Sequence, residues 1–568
     1  MGIRHLQTYM FKSCPGGVQE IYMRNEIQEY KRTFNIEKPV IIIDIIAIHE
    51  CVYTNETEKL FAGRLDLYTQ RIEELFKKLK SLGIEIIFVQ DGSLYESKLD
   101  TIINRRNEKY MKEWSTLQQL ENFNLKDPNL NLYLPSLTSF FWNLRMIAKQ
   151  YGKVIITPRE GDQEIVYQAN KRNALAVISH DTDFLIFDGN WQFWSARHLN
   201  LNKLSITRFN KAALRANLSL SPLQMTLFAT ISGNDFVKYE MVEQFHKKYC
   251  GRNKFEKIGD IVRRIRSLPP NLRESDEKYL INLIFHPQNR ISGLEDFKKS
   301  IKFYCDVNEP VFHESPLLEM APSFLYSILK DIPYVLSLTY FDLRKSDFTP
   351  FYQLVKPIIQ RQIGTILKNK EENLNSVTRQ IITKLRHDDS YKKVDEIPIY
   401  PSDDLPQIEE FILKPNDKND HLYQLKLKLF CWHFLPECEY FTPYIISSLP
   451  DSQVVTVSII TYLVEKKQIS FEQGDDILFA CVQSFEQKQL INLNDFQKID
   501  EKNARIAFLF TKLYTFFNHT IEILGLKNFE SLITFDGLYY HYLRQNLKNK
   551  SLRLNLQKKF ENLRIYVK

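Results

Sequence analysis

The chain reads as an α/β protein, with a mostly parallel sheet flanked by helices in its first half and a mainly α-helical second half. Three observations predict this. Apolar runs of strand length recur near residues 40, 85, 153 and 175. Segments with apolar residues at three- and four-residue steps separate them, as helices between parallel strands require. Beyond about residue 300 the strand runs fade while the helical spacing persists.

The elements follow in order. Lys38-Pro39 leads into Val40–Asp44, an apolar run too short for a lone helix and hence a buried strand. Residues 66–82 carry helical periodicity, Gly83 stops that helix, and Ile84–Val89 is a second strand, completing one βαβ unit. A highly charged stretch from Leu94 to about Lys126 precedes further helix to Gln150, a third strand at Lys153–Thr157, a helix from Gln163 and a fourth strand at Leu175–Ser179. Ile359–Leu367, Val454–Leu463 and Ile506–Phe517 have helical spacing. The turn-rich His286-Pro287-Gln288-Asn289-Arg290 places a domain boundary there, giving 1–290 and 291–568, and the polar stretch 387–421 reads as a loop.

Composition narrows the class. With 44% hydrophobic residues but few Gly (17) and Pro (22), there is ample core material and no collagen-like or linker-rich character. Val40–Ile48 falls short of the roughly 18 apolar residues a membrane helix needs. The N-terminus lacks the apolar run of a signal peptide, and the seven scattered cysteines form no CxxC pair, so the expectation is a nuclear or cytoplasmic protein. A net charge of +7 permits nucleic-acid binding without demanding it.

Ligands of a parallel sheet collect beyond the carboxyl ends of its strands, and here those ends are acidic. Asp44 ends the first strand, Asp91 follows the second, Glu160 and Asp162 the third, and Asp181 and Asp183 the fourth; the later apolar run Leu227–Ser232 ends in Gly233-Asn234-Asp235. Singly, each is a turn or helix-cap residue. Together, converging carboxylates raise one another's pKa values unless a cation sits among them. Oxygen-only ligands favour Mg²⁺ or Mn²⁺, and two such ions about 4 Å apart support in-line phosphodiester hydrolysis. Lys98 and Arg105 share one helix face after Asp91 and suit a scissile phosphate, although a solvated basic face would look the same.

These residues resemble the flap endonuclease/XPG superfamily and, within it, the Asteroid subfamily. Met1-Gly2-Ile3-Arg4 matches the superfamily's N-terminus, whose Gly2 lies beside the active site. All seven acids have counterparts, and Lys98 and Arg105 stand seven and fourteen residues after Asp91, where the superfamily carries its catalytic lysine and arginine. The phrases Ser179–Asp188 and Ser232–Asp235 are the Asteroid-like ones. The resemblance implies a PIN-like, flap-endonuclease fold with a helical arch at about 93–150. It also implies a two-Mg²⁺ structure-specific DNA endonuclease, with Mn²⁺ able to substitute, working in repair or end processing. Lys98, Arg105 and Asp181 would be its catalytic residues.

Departures limit what transfers. The stretch Phe236–Val242 has no glycine hairpin for gripping duplex backbone, and Glu50 stands where the superfamily places a stacking aromatic. The basic residues Lys247, Lys248, Arg252, Lys254 and Lys257 offer phosphate contacts instead. In the arch, Arg106, Lys109 and Lys112 mix with Tyr110 and Trp114, which suits DNA with single-stranded character and equally suits a lid packed on its own domain. The basic, leucine-bearing C-terminal tail reads as a docked amphipathic helix. Cys431, His433 and Cys438 lack a fourth zinc ligand. No sliding-clamp motif ends the chain, and repair partners would bind through the helical half. Two alternatives stay open: a non-catalytic nuclease-fold scaffold in signalling or RNA and translation control, and a PIN-like ribonuclease.

Overall fold

The structure is a computed structural model and describes residues 2–52, 56–92, 99–120, 138–157, 160–251, 253–268, 273–307, 323–336, 349–370, 377–385, 389–546, 550–559 and 561–564. The chain forms two compact units. The first comprises Met1–Val52, Glu74–Gly92 and Tyr151–His313; the second comprises Tyr53–Glu73, Ser93–Gln150 and Glu314–Lys568.

The first unit is built on a seven-stranded sheet of β1 (Val18–Tyr22), β2 (Val40–Asp44), β3 (Glu85–Asp91), β4 (Lys153–Thr157), β5 (Ala176–Ser179), β6 (Gln192–Asn200) and β7 (Ser205–Phe209), in the order β1-β7-β6-β5-β2-β3-β4. The four expected strands are present, and β4, β3, β2, β5 and β6 run parallel. β7 and β1 add an antiparallel margin. Ile41, Ile42 and Ile43 of β2 are fully buried because both sheet faces are covered, which explains a continuous apolar run rather than alternation. On one side the Gly161–Lys171 helix packs on β2 and β3. On the other, Phe76 of the Leu65–Lys80 helix meets Phe88 of β3 at 4.7 Å between ring centroids.

One expectation changes. Leu227–Ser232, grouped above with strand-ending runs, is the end of a helix, Pro222–Ser232. Ser221 and Gln224 close its N-terminus as a reciprocal capping box with Pro222 at the first position. Its last nine residues, from Gln224 onward, are all buried, so it has no polar face to betray its period. It packs against the helices Lys254–Arg266 and Arg290–Cys305.

The second unit is mainly helical, around the 24-residue helix Glu501–Leu524. Helices Phe351–Leu367, His421–Phe434, Val454–Glu465 and Gly537–Gln545 surround it. It also contains a small sheet, β8 (Tyr334–Val335), β9 (Arg379–Thr383) and β10 (Lys392–Glu396). The polar stretch read as a loop therefore holds β10 and the helix Ile408–Leu413. The C-terminal tail docks: Leu556 is buried, and Arg544 and Arg553 both donate to the Asp476 carboxylate, at 2.8 and 2.7 Å. His433 is no zinc ligand here, since its two ring nitrogens meet the Thr365 and Thr520 hydroxyls at 2.8 and 3.0 Å.

Burial pushes His433, His519 and His541 down to about 3. Between pH 6.5, where the unfolded histidines titrate, and about 3, the unfolded chain binds protons that the native state refuses, so these groups make stability fall as pH falls. Buried Glu396, pushed up to about 7, works in the opposite sense. A His433→Gln variant isolates one term. Its stability plotted against pH between 6 and 4 is expected to be shallower than wild type by about one proton. Identical slopes from denaturant titrations would refute the assignment.

Candidate metal centre

Strand register brings the acids together. β2 lies between β5 and β3, with Ile43 opposite Ile178 on one side and Asp44 opposite Val89 on the other. One step beyond the Ile43 pair, Ser179 Oγ donates to Asp44 Oδ2 at 2.8 Å, while the Ile46 amide donates to Oδ1 at 3.0 Å. Asp91 ends β3 opposite Thr157. Past β5 the chain turns sharply, and Asp181 caps the short 3₁₀ turn Thr182–Leu185 by accepting the Asp183 amide at 3.2 Å. Asp162 lies in the first turn of the Gly161–Lys171 helix.

Asp162, Asp181 and Asp183 each offer a carboxylate oxygen within 4.8 Å of the others. Burial and then Asp91 push Asp44 up to about 7. Burial, followed by the charges of Asp181, Asp183, Asp91 and Asp44, drives Asp162 well above the ordinary carboxylate range. Five aspartates thus share one repulsive field, which a cation would relieve, and an oxygen-only donor set fits a hard divalent ion.

Two glycines make room for this arrangement. A Cβ on Gly161 would lie 1.9 Å from Asp91 Oδ1, so the Asp91 carboxylate rests directly on the first turn of a helix, whose exposed amides favour an anion. Gly2 has φ +88°, and a Cβ there would lie 2.1 Å from Asp181 Oδ1 and 2.4 Å from Thr182 Oγ1. The Ile3 amide donates to that same hydroxyl at 3.0 Å. Gly2→Ala is therefore expected to displace Asp181 and weaken divalent-ion binding by about tenfold or more. Calorimetry giving a wild-type dissociation constant would contradict this.

Glu160 is the N-cap residue of the Gly161–Lys171 helix, and Asp235 follows Asn234 in the turn after the Pro222–Ser232 helix; neither belongs to the 4.8 Å trio. Asn234 Oδ1 accepts the Phe236 and Val237 amides at 3.0 and 2.9 Å. Reading the acids alone overlooks Tyr304, whose buried hydroxyl donates to Asp183 Oδ1 at 2.8 Å. It comes from a helix 121 residues further along, so local sequence carries no signal for it. Ser179 is easier to find, since the β2–β5 register continued by one step places it opposite Asp44.

The proposed phosphate-facing groups are divided between the two units and the residues outside the description. Lys98 and Arg252 lie outside the described residues, as does the side chain of Lys254. Arg105, Arg106, Lys109 and Lys112 ride on the helix Leu99–Leu120 in the second unit. That helix packs on the small sheet: Leu99 and Ile103 contact the cluster of Ile382 and Tyr391, the Lys384 ammonium lies 3.3 Å from the centroid of the Tyr110 ring, and Asn107 accepts the Tyr391 amide at 3.1 Å. Tyr110 is therefore a packing residue here. Lys109 approaches Glu113 at 3.8 Å, and burial lowers its pKa. In the first unit, Lys247 is exposed and pairs with Glu243 at 3.0 Å, Lys248 lies 5.0 Å from the Tyr249 ring, and Lys257 is half-buried.

The geometry is matched by a family signature covering the same edge of the sheet. Residues 153–235 match the XPG I-region. That segment runs from β4 to Asp235 and carries five of the seven acids, which supports the resemblance to the flap endonuclease/XPG superfamily. Residues 218–308 match the FAM120A-like domain. Among curated proteins, the chain is 25% identical over 269 residues to the human constitutive coactivator of peroxisome proliferator-activated receptor gamma, covering 46% of this chain and 29% of that protein. It is 26% identical over 250 residues to the bovine protein of that name, covering 44% and 35%. The match thus spans about a third of these relatives. Similar solved structures include the catalytic core of Rad2 in complex with DNA substrate (TM-score 0.33, 14% identity, 56% of this chain and 92% of that one). Another is the Holliday junction-resolving enzyme GEN1 with product DNA and Mg²⁺ (0.35, 16%, 58% and 71%). No described helix is long and apolar enough to cross a membrane.

Proposed function

We propose that the chain is a divalent-metal-dependent, structure-specific nuclease hydrolysing phosphodiester bonds of DNA with single-stranded character. The convergence of Asp162, Asp181 and Asp183 within 4.8 Å carries this reading. Asp44, Asp91, Glu160 and Asp235 complete the acid set, directly or through water. Bound among them, Mg²⁺ or Mn²⁺ supplies an activated water and neutralises phosphate charge. The chain's own part is to hold the acids apart and oriented at the sheet edge, with Lys98 and Arg105 assigned to orient the phosphate. Repair partners at the helical second unit, a nuclear location and an Asteroid-like subfamily placement belong to the same reading.

A second reading has one finding in its favour: the curated relatives are named as coactivators, which suits a nuclease fold kept as a scaffold. The two part on a single gel. Labelled 5′ flap, 3′ flap, 3′ overhang, single strand, blunt duplex and single-stranded RNA are incubated with Mg²⁺ and either wild-type or Asp181→Ala protein. Cleavage present only in wild type supports the nuclease, and the cut lane names its substrate, RNA included. No cleavage, with no Mg²⁺ binding by calorimetry, leaves the scaffold.

A further inference from the structure

Resting on the metal-dependent reading above, we propose that Tyr304 is a positioning residue for the metal centre, holding Asp183 in its ligating orientation and tying it to the turn that carries Asp235. Tyr304 sits in the last turn of the Arg290–Cys305 helix, where it is buried, with its ring against Phe187 and Phe303 at centroid distances of 5.1 and 5.0 Å. The direction of its hydrogen bond is set by its neighbours. Asn234 Oδ1 is taken by two backbone amides, so the side-chain Nδ2 faces the other way and donates to Ser300 Oγ at 2.7 Å and toward the Tyr304 hydroxyl at 3.5 Å. Thr230 Oγ1 lies 2.6 Å from Ser300 Oγ and anchors it. With Asn234 as donor, the Tyr304 oxygen accepts, and its proton points to Asp183 Oδ1. The bond engages Oδ1 and fixes the plane of the carboxylate, so Oδ2 is presented in one orientation. It also stabilises the ionised acid without introducing a competing cation, and it couples the 3₁₀ turn holding Asp183 to the Asn234–Asp235 turn.

The test uses the full chain, comparing wild type, Tyr304→Phe and Asp181→Ala by Mn²⁺ titration with electron paramagnetic resonance and Mg²⁺ calorimetry. Phenylalanine keeps the ring packing and removes only the hydroxyl. The expected result is divalent-ion affinity weaker by about ten- to a hundredfold, with little change in the unfolding midpoint in EDTA and recovery of cleavage at raised Mg²⁺. That recovery is what a general loss of structure would not give. Wild-type affinity in Tyr304→Phe, while Asp181→Ala has lost binding, overturns the role of Tyr304 alone. Failure of wild type to bind either ion overturns the metal centre and this inference with it. Should Tyr304→Phe not fold, Ser300→Ala, which releases the Asn234 amide, carries the same expectation.

Discussion

Asp181→Ala is expected to abolish divalent-metal binding and the proposed cleavage while the protein stays folded. Asp181 is one of three acids whose oxygens meet within 4.8 Å, and its charge heads the aspartate contributions that raise Asp162. Removing it deletes one of the three converging ligands and breaks the oxygen arrangement proposed to hold a hard cation. A metal-held nucleophile and phosphate clamp contribute several kcal/mol to such chemistry, so the rate should fall by at least about a thousandfold. In metal-free buffer the relief of repulsion at Asp162 offsets the lost Asp181 cap on the 3₁₀ turn, so the variant stays folded. Wild type should in turn gain stability from Mg²⁺ by mass action, and the variant should not. Melting curves with Mg²⁺ and with EDTA, read beside a cleavage assay, check all three statements. Cleavage surviving in the variant would end the metal-centre assignment.

The largest structural effect is expected at Arg64, in the second unit. Its Nε donates to Asp536 Oδ2 at 2.8 Å, and its Nη2 and Nη1 reach the Lys488 and Ile491 carbonyls at 2.7 and 3.3 Å. Asp536 is fully buried, and its carboxyl is pushed up to about 6 by burial and then by nearby Asp66, against the pull of Arg64. Arg64→Ala leaves the buried Asp536 carboxylate without its cation and with only the Tyr539 amide on Oδ1, a loss of about 3–5 kcal/mol. Removing both members of the pair in Arg64→Ala/Asp536→Asn should recover part of it, because the uncompensated charge is then gone. Denaturant midpoints for the single and double variants decide the matter; a single variant within about 0.5 kcal/mol of wild type would show the pair to be incidental.

The acids of the proposed centre stand out in the sequence because parallel strands expose their carboxyl ends on one edge, and a short buried strand advertises itself as an unbroken apolar run. Val40–Asp44 and Ala176–Ser179 show this: strand length, burial and the acid at or just beyond the end are all local properties. The helix Pro222–Ser232 was less legible for the opposite physical reason, since a helix buried on all sides loses its periodic stripe. β1 owes its structure to antiparallel pairing with β7, Val18 against Phe209 through Tyr22 against Ser205, and such pairing is a long-range choice.

By itself, then, the sequence determined the α/β class of the first half, the helical character of the second, and the strand ends after which Asp162, Asp181 and Asp183 follow, because burial pattern and strand polarity are written in consecutive residues. Only the tertiary structure decided that Gly2 closes against Asp181, that Ser179 and Tyr304 orient two of the acids, and that the basic helix Leu99–Leu120 spends Tyr110 on packing against the small sheet. Each of these is a contact between residues far apart in the chain, whose existence depends on how helices and sheets close over one another.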